Sequence, residues 1–319
     1  MDPQNAAIET RILPYGPAAI AEAARLIREG RPVAVPTETV YGLAADAGSD
    51  AAVAGIYAAK GRPAFNPLIV HVLDREAAEG LAEFPGAARI IADAFWPGPV
   101  TLVLPVRGGS GLAAAVTAGL TTVALRCPAH PAMRALLQAS GRPLAAPSAN
   151  ASGAISPTRG EHVLKSLGGR IELIIDGGET AHGLESTIVG FADGRITLLR
   201  TGPVPFEDLV AAAGLPVGEA GETIQAPGQL SSHYAPSKPL RLDAVTAEAD
   251  EWLIGFGAVS GDDTLSASGD LAEAAARLFG ALHRADAAQQ PRIAVAPVPR
   301  AGVGAAINDR LSRAAAPRD

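Results

Sequence analysis

The segment RPVAVPTETVYGL, residues 31–43, joins a short apolar run to a cluster of hydroxyl groups and a carboxylate. The apolar run at residues 32–35 predicts a strand that ends at Pro36. Polar side chains at the end of a strand often form the ligand crevice of an open α/β sheet, so residues 37–43 are a candidate site. Threonine, glutamate and proline are also common in turns, and a plain turn is the alternative interpretation.

Helical and extended patterns alternate on both sides of this segment. Residues 18–28 predict a helix that ends at Gly30, and Asp50 predicts the cap of a second helix that continues to Ala59. Further strands are predicted at residues 67–72, 100–104, 123–125, 144–146, 173–175, 187–189 and 196–199, and further helices at residues 87–95 and 131–139. This alternation predicts an α/β domain built on a large, twisted mixed sheet with helices.

The pattern loosens after residue 215, and two domains are expected. Residues 219–239 are rich in Gly, Ser, Pro and Gln and lack a periodic apolar face, which is typical of a linker. A small βαβ unit is then predicted from strands at 252–256 and 292–296 and helices at 270–283, capped by Asp270, and 305–315. We therefore predict a first domain at residues 1–215, a linker at 216–238 and a small Rossmann-like α/β domain at 239–319.

The composition excludes several classes of protein. The chain has 319 residues, 48% of them hydrophobic, and a formal net charge of −7. The single cysteine, Cys127, argues against a disulfide-stabilised secreted fold and a cysteine zinc site, and it is expected to be an inert core residue. The sequence has neither a signal segment nor a run of about 18 apolar residues, so the expected location is the cytoplasm, away from membranes. An acidic chain needs a local cluster of cations to bind a polyanion.

Four cations beside predicted strand ends form such a candidate cluster: Lys60, Arg62, Arg126 and Arg200. The first two follow a helix and precede Asn66, where pairing with the helix dipole is the alternative explanation. An arginine at a strand end, such as Arg126, can hold a carboxylate by two parallel hydrogen bonds, although surface arginines are more often only solvated. The absence of a Gly-x-x-x-x-Gly-Lys-Ser/Thr loop and of a Gly-x-Ser-x-Gly elbow argues against a P-loop site and a serine hydrolase.

Four segments, in this order and spacing, resemble the threonylcarbamoyl-AMP synthase family, which has a YrdC-like fold, in its two-domain form. They are PTETVYGL at residues 36–43, KGRPAFNPL at 60–68, SAN at 148–150 and STIV at 186–189. The segments APGQL at 226–230 and SHYAP at 232–236 resemble the interdomain segment of the family, and AAINDRL at 305–311 resembles its C-terminal helix. The resemblance covers nearly the whole chain, although residues 239–319 are short for the second domain of the family.

The resemblance implies that L-threonine, bicarbonate (or carbon dioxide) and ATP are condensed to threonylcarbamoyl-AMP and pyrophosphate, for modification of tRNA beside the anticodon. The residues that it implies for L-threonine binding are Thr39, His71, Arg126, Ala146 (through its backbone) and Ser186. The residues that it implies for ATP binding are Lys60, Arg62, Asn66, Thr122, Ser148, Asn150, Ser156, Arg200 and Tyr234. Because Tyr234 comes from the linker, the linker is expected to act as a lid over the site.

The chemistry of this reaction favours positioning over covalent catalysis. A carbamate is a weak nucleophile, so its attack on the α-phosphate requires two anions held in line. We therefore expect no dedicated catalytic residue and no protein metal site, with Mg²⁺ held mainly by the ATP phosphates. His71 is expected to bind substrate rather than act as a general base. The implied partners are the three substrates, the downstream tRNA threonylcarbamoyl-transferase complex and, through a weak contact, RNA.

Three alternatives remain open on the sequence. The same fold serves carbamoyl-phosphate chemistry in hydrogenase maturation factors, although this chain lacks their cysteine-rich zinc module and acylphosphatase-like extension. A double-stranded RNA-binding or ribosome-maturation protein would show steeply salt-dependent RNA binding without ATP turnover. A protein that uses ATP only as a ligand would bind it saturably without releasing pyrophosphate.

Overall fold

The structure, a computed structural model, describes residues 8–219 and 234–317. The strands up to residue 219 are β1 (Arg11–Pro14), β2 (Val33–Pro36), β3 (Tyr41–Asp46), β4 (Ile69–His71), β5 (Val100–Pro105), β6 (Thr122–Arg126), β7 (Leu144–Ala145), β8 (Leu173–Asp176), β9 (Thr187–Ala192) and β10 (Arg195–Arg200). The helices are α1 (Pro17–Arg28), α2 (Asp50–Lys60), α3 (Arg75–Leu81), α4 (Gly86–Phe95), α5 (Ala114–Thr117), α6 (Pro131–Ser140), α7 (Gly160–Leu167) and α8 (Phe206–Ala213). Most of the predicted linker, including the segment at 226–230 and Ser232-His233, lies outside the described residues.

These ten strands form one mixed sheet in the order β1-β8-β2-β3-β7-β4-β6-β5-β9-β10. Strands β4 and β6 are parallel, whereas β2 pairs with β3, and β5 with β6, in antiparallel fashion. The predicted mixed α/β sheet is therefore confirmed. The parallel register places His71 opposite Arg126, so two residues far apart in the sequence become neighbours at one end of the sheet.

Helix ends follow local signals, with one correction to the sequence analysis. Helix α2 ends at Gly61, whose φ of 60° is the left-handed conformation that glycine adopts without strain. The prediction that Asp50 caps this helix is wrong. The cap is Ser49, which has an extended backbone and whose Oγ accepts a hydrogen bond from the amide of Ala52 at 3.3 Å, and Asp50 is the first helical residue.

Strand β3 is the main element that the sequence pattern did not reveal. It forms a hairpin with β2, and residues 37–40 are the turn between the two strands. Five of its six residues are buried, so the alternation of polar and apolar residues that marks a half-exposed strand is missing. The candidate site segment at residues 36–43 is therefore a hairpin turn together with the beginning of a buried strand.

The second part of the chain has its own small parallel sheet. Its elements are β11 (Leu240–Arg241), β12 (Glu251–Gly255), β13 (Asp263–Thr264), α9 (Leu271–Ala287), β14 (Arg292–Val295) and α10 (Val303–Ala315), with strand order β11-β14-β12-β13. The predicted βαβ unit is present as β12-α9-β14, and Asp270 caps α9 as expected through its 2.8 Å bond from the amide of Glu273. Among the described residues, no helix combines the length and apolar character that a membrane crossing requires.

The two sheets share one buried apolar cluster. Val40, from the β2–β3 turn, and Leu184, from the segment before β9, belong to the same cluster as Phe279 of α9. Close backbone packing accompanies it, because a Cβ on Gly183 would lie 2.3 Å from the carbonyl oxygen of Ala276 in α9. The turn that carries the candidate site is thus held partly by the second sheet. The division of the chain at residues 215 and 238 remains a prediction.

Candidate functional site

One cleft collects side chains from the β2–β3 turn, from β4 and β6, from the loop after β7 and from the end of β10. It is lined by Thr37, Thr39, Val40, Gly42, Arg62, Ile69, His71, Arg126, Ala146, Pro147, Ser148, Glu185, Arg200 and Tyr234. Eight of these residues are among those implied by the sequence resemblance: Thr39, Arg62, His71, Arg126, Ala146, Ser148, Arg200 and Tyr234. Motifs spread over most of the chain therefore meet at one place.

Arg126 is buried at the end of β6 and is held by the β2–β3 turn. Its Nη2 donates to Glu38 Oε1 at 2.6 Å, its Nη1 donates to Thr39 Oγ1 at 2.9 Å, and its Nε donates to the carbonyl of Gly98 at 3.3 Å. The other oxygen of Glu38 accepts the amide of Ala129 at 3.0 Å. Among the described residues, these bonds use three of the five N–H groups of the guanidinium, so two remain for a ligand carboxylate.

His71 lies beside this ion pair and is neutral. Burial, assisted by the positive charge of Arg126, lowers the pKa of His71 to about 3. Neither ring nitrogen has a hydrogen-bond partner among the described residues, although the side chain is buried. A neutral imidazole offers one donor and one acceptor, so His71 can bind a polar ligand but does not carry a charge into the cleft.

The Glu38 carboxylate makes the free energy of unfolding depend on pH in the acid range. Burial opposes its ionisation, but the charge and hydrogen bond of Arg126 hold the pKa of Glu38 at about 2. Its stabilising contribution is complete above about pH 4.5 and is lost as the pH falls towards 2, by about 3 kcal/mol in all. Urea unfolding of the wild type and Glu38→Gln over this pH range measures it: the difference between the two free energies of unfolding should shrink with falling pH. A constant difference would contradict the assignment.

Arg200, at the end of β10, is joined to Ser186, just before β9. Its Nη2 donates to the hydroxyl and to the carbonyl of Ser186, each at 3.0 Å. The Ser186 hydroxyl also lies 2.7 Å from Thr101 Oγ1. Burial lowers the pKa of Arg200, yet arginine remains protonated at neutral pH. Ser186 is therefore fixed directly against one of the cleft cations, although its own side chain does not line the cleft.

Lys60 and Arg62, the two cations of the KGRP segment at residues 60–63, have different surroundings. Arg62 lines the cleft, donates to the carbonyls of Asn66 at 3.2 Å and Pro67 at 2.9 Å, and has its pKa lowered to about 10 by burial. Lys60 is buried, and its amine donates to the carbonyl oxygens of Ser148, at 2.6 Å, and Asn150. Burial holds the pKa of Lys60 well below its usual range. Its amine thus fastens the loop after β7, and a direct contact with ATP stays a prediction.

Replacement of Lys60 by methionine should loosen that loop. The two carbonyl oxygens would lose their buried donor, which is expected to lower the free energy of unfolding by about 2 kcal/mol. Ser148 lines the cleft, so the apparent affinity for nucleotide should fall as well. Urea unfolding and calorimetric titration with a non-hydrolysable ATP analogue measure the two effects. Lys165→Met removes an exposed lysine from α7 and should change neither quantity; equal behaviour of the two variants would refute the role of Lys60.

The remaining residues implied by the resemblance do not line the cleft. Ser156 is buried and donates to Glu185, which does line it. Asn66 and Asn150 are buried, and neither Oδ1 atom has a partner among the described residues. Thr122 is half-buried at the start of β6, four residues before Arg126. The two asparagines retain acceptors for a ligand, whereas nothing in the contacts of Thr122 directs it towards one.

Two carboxylates of the cleft region form ion pairs with arginines, which the sequence analysis did not predict. Glu38 is the ion-pair partner of Arg126, and Glu185 accepts both Ser156 and Arg310 of α10, the latter at 2.9 Å. Glu38 lies within the quoted segment at residues 36–43, and Glu185 immediately precedes the quoted segment at 186–189. The arginine that pairs with Glu38 lies 88 residues further along the chain, and the arginine that pairs with Glu185 lies 125 residues further along. No local sequence pattern predicts such distant pairs.

These carboxylates are also potential metal ligands, and both are engaged by arginine. Within residues 8–219 and 234–317, no group of three or more His, Cys, Asp or Glu side chains is arranged to hold a metal ion. A carboxylate bonded to a guanidinium is a poor ligand for a hard cation, which prefers unshared oxygens. The donor set of the cleft consequently suits anions rather than a protein-held metal.

Comparison with known proteins agrees with the fold. Residues 25–202 match the Sua5/YciO/YrdC family model, described as telomere recombination, and residues 203–316 match the model of the threonylcarbamoyl-AMP synthase C-terminal domain. The threonylcarbamoyl-AMP synthase of Pyrococcus abyssi is 41% identical in an alignment 316 positions long that covers 92% of each chain. The threonylcarbamoyl-AMP synthase of Bacillus subtilis is 42% identical in an alignment 325 positions long, which covers 94% of this chain and 93% of the relative.

The solved structures include a close match over both parts of the chain. A crystal structure of Pyrococcus abyssi Sua5 complexed with L-threonine superposes with a TM-score of 0.87 at 39% identity, covering 96% of this chain and 98% of that one. The match covers 96% of this chain, so the resemblance seen in the motifs extends to the architecture of both parts of the chain. The chain therefore belongs to the threonylcarbamoyl-AMP synthase family.

Proposed function

We propose that this protein is an L-threonylcarbamoyladenylate synthase, a nucleotidyltransferase that condenses L-threonine, bicarbonate or carbon dioxide, and ATP to threonylcarbamoyl-AMP and pyrophosphate. The observation that carries the proposal is the convergence of Arg62, Arg126 and Arg200 on one cleft in a chain of net charge −7. Such a concentration of buried and half-buried cations suits a multiply charged substrate. The product would be consumed in the cytoplasm by a tRNA threonylcarbamoyl-transferase complex, and a weak RNA contact belongs to the same proposal.

L-Threonine would bind at the end of the cleft formed by β4, β6 and the β2–β3 turn. The two available N–H groups of Arg126 suit its carboxylate, and a fork of this kind also fixes orientation. His71 offers a neutral donor and acceptor to the polar groups of the amino acid. Thr39, Ser186 and the backbone at Ala146 complete the proposed threonine end.

ATP would bind at the end formed by the KGRP segment, the loop after β7 and β10. Arg62 and Arg200 supply positive charge towards the triphosphate, and the unpartnered Oδ1 atoms of Asn66 and Asn150 are acceptors for an amino or hydroxyl group. Lys60 would act by fixing the loop. The other members of the proposed ATP end are Thr122, Ser148, Ser156 and Tyr234.

The reaction is proposed to proceed by positioning. Bicarbonate and the threonine amine combine with loss of water to give a carbamate, one oxygen of which attacks the α-phosphorus while the bond to pyrophosphate breaks. Arg126 would hold the carboxylate, and Arg200 would stabilise charge on the phosphates. Because Arg200 bonds to Ser186, which we assign to the threonine end, that contact relates the two substrates. No protein nucleophile is required.

Magnesium would arrive with ATP as the MgATP substrate. The phosphate oxygens of ATP, together with water, provide the octahedral set of ligands that Mg²⁺ prefers. Glu38 and Glu185, which are bonded to arginines, need not contribute. Residues 1–215 would then form the catalytic domain, residues 216–238 a lid that brings Tyr234 into the cleft, and residues 239–319 a supporting domain.

Pyrophosphate release by the purified protein with MgATP and bicarbonate tests the proposal. Release should depend on L-threonine, with little or none for L-serine, L-allo-threonine or no amino acid, and quenched mixtures should contain the mass of threonylcarbamoyl-AMP. Carbamoyl phosphate in place of bicarbonate and threonine tests the maturation-factor alternative. Saturable ATP binding without pyrophosphate release would indicate a protein that only binds the nucleotide. Salt-sensitive RNA binding without pyrophosphate release would indicate an RNA-docking role.

A further inference from the structure

We propose that Arg310, in the last helix α10, is a positioning residue for the nucleotide end of the cleft, because it holds the Glu185 carboxylate and keeps it from neutralising Arg200. The inference rests on the proposed function and adds a role for the second domain. That domain would then complete the charge arrangement of the site rather than merely accompany it.

Arg310 is completely buried and makes three kinds of contact with the site region. Its Nε donates to Glu185 Oε2 at 2.9 Å, and its Nη2 donates to the carbonyl of Thr201 at 2.8 Å. Its guanidinium carbon lies 5.4 Å from the centre of the Tyr234 ring, within range of a cation–π interaction. One side chain of α10 is thus connected to three separate segments around the cleft.

Glu185 lies under the influence of two arginines. It lines the cleft, and its second oxygen accepts the Ser156 hydroxyl. Burial opposes its ionisation, but the positive charges of Arg310 and then Arg200 lower the pKa of Glu185. The side chain is therefore a carboxylate at neutral pH, and Arg310 is the arginine that is hydrogen-bonded to it.

Removal of Arg310 would leave this buried carboxylate with Arg200 as the other arginine whose positive charge acts on it. A buried charge without a partner is strongly unfavourable, so Glu185 is expected to pair with Arg200. That pairing would cancel the charge that Arg200 presents to the triphosphate. Arg310 and Glu185 contact Ser156 and Tyr234, both assigned to the ATP end, whereas Arg126 at the threonine end has its own carboxylate.

The expected signature is a split between the two substrates. Arg310→Ala should weaken binding of a non-hydrolysable ATP analogue by about tenfold or more, measured by calorimetric titration, and change L-threonine affinity by less than about twofold. In the double variant Arg310→Ala with Glu185→Gln, the competing carboxylate is absent, so nucleotide affinity should recover most of the loss. Arg277→Ala is the matched control, because its ion pairs with Glu273 and Asp263 remain within the second domain.

Two results would overturn the inference: equal weakening of both ligands by Arg310→Ala, or no recovery in the double variant. Either would make Arg310 a purely structural residue. If Arg310→Ala does not fold, Arg310→Lys and Arg310→Gln serve instead. The lysine variant should then bind nucleotide within about threefold of the wild type, and the glutamine variant should bind it much more weakly. Failure of the proposed function is distinguishable, since it would appear as absent threonine-dependent pyrophosphate release in the wild type.

Discussion

Replacement of Arg126 by alanine is expected to lower the free energy of unfolding by about 3–5 kcal/mol, because it leaves the buried Glu38 carboxylate without its partner. It should also raise the L-threonine requirement by about 10- to 100-fold, with a much smaller change in the ATP requirement, since a charged hydrogen-bond donor to the amino-acid carboxylate is lost. Urea unfolding and pyrophosphate release at varied threonine and ATP concentrations measure the two effects.

A second substitution separates the two roles of Arg126. Adding Glu38→Gln to Arg126→Ala removes the unpaired charge and should restore part of the stability, but not the threonine affinity. Arg134→Ala is a control, because this nearby arginine donates to the carbonyls of Leu73 and Pro128 and, within the described part of the chain, to no carboxylate. Unchanged threonine affinity in Arg126→Ala, or an equal loss for ATP, would remove Arg126 from the threonine end.

Substitution of Gly183 by alanine should be the most damaging small change at the contact between the two sheets. The residue has a φ of 66°, which disfavours alanine, and its new Cβ would lie 2.3 Å from the carbonyl oxygen of Ala276 and 2.5 Å from that of Ala275. The strain and the displacement of α9 together are expected to lower the free energy of unfolding by about 2–5 kcal/mol. Urea unfolding measures this loss, and nucleotide titration should show weaker binding as Arg310 moves with its domain.

Gly178→Ala separates the two causes. Gly178 has a similar φ of 78°, but a Cβ there would meet nothing within 4 Å among the described atoms. Its replacement therefore measures the dihedral strain alone, about 1–2 kcal/mol. If Gly183→Ala were no worse than Gly178→Ala, the close approach of α9 would not matter for stability.

The elements that the sequence predicts well are those with local signals. Helices such as α1 and α6 combine apolar periodicity with proline near the start and, in α6, Gly141 at the end, and the structure has them within one residue of the predicted bounds. The mixed sheet also follows from the alternation of helices and strands. By contrast, β3 is buried throughout most of its length and has no period, while two-residue strands such as β11 are too short to leave a pattern.

The site follows a similar division. Thr39 and Arg62 stand in recognisable motifs, Arg126 and Arg200 stand beside predicted strand ends, and the structure brings all four to one cleft. Tertiary packing, rather than local sequence, determines which groups neutralise these cations. Glu38 and Arg126 are 88 residues apart, and the amine of Lys60 contacts carbonyl oxygens rather than any acidic group. A sequence identifies the cations of such a site more readily than the partners that set their charge and direction.

The packing of Val40 into the second sheet has a consequence for amide hydrogen exchange. The Val40 amide donates only weakly, to the Thr37 hydroxyl at 3.3 Å in its own turn, so local bonding alone would give it little protection. Its side chain, however, is buried in the cluster that contains Phe279 of α9. Exchange at this turn should therefore be slow and should follow the opening of α9, although the helix lies more than 200 residues further along the chain. The cleft-lining turn and the distant helix would open as one cooperative unit.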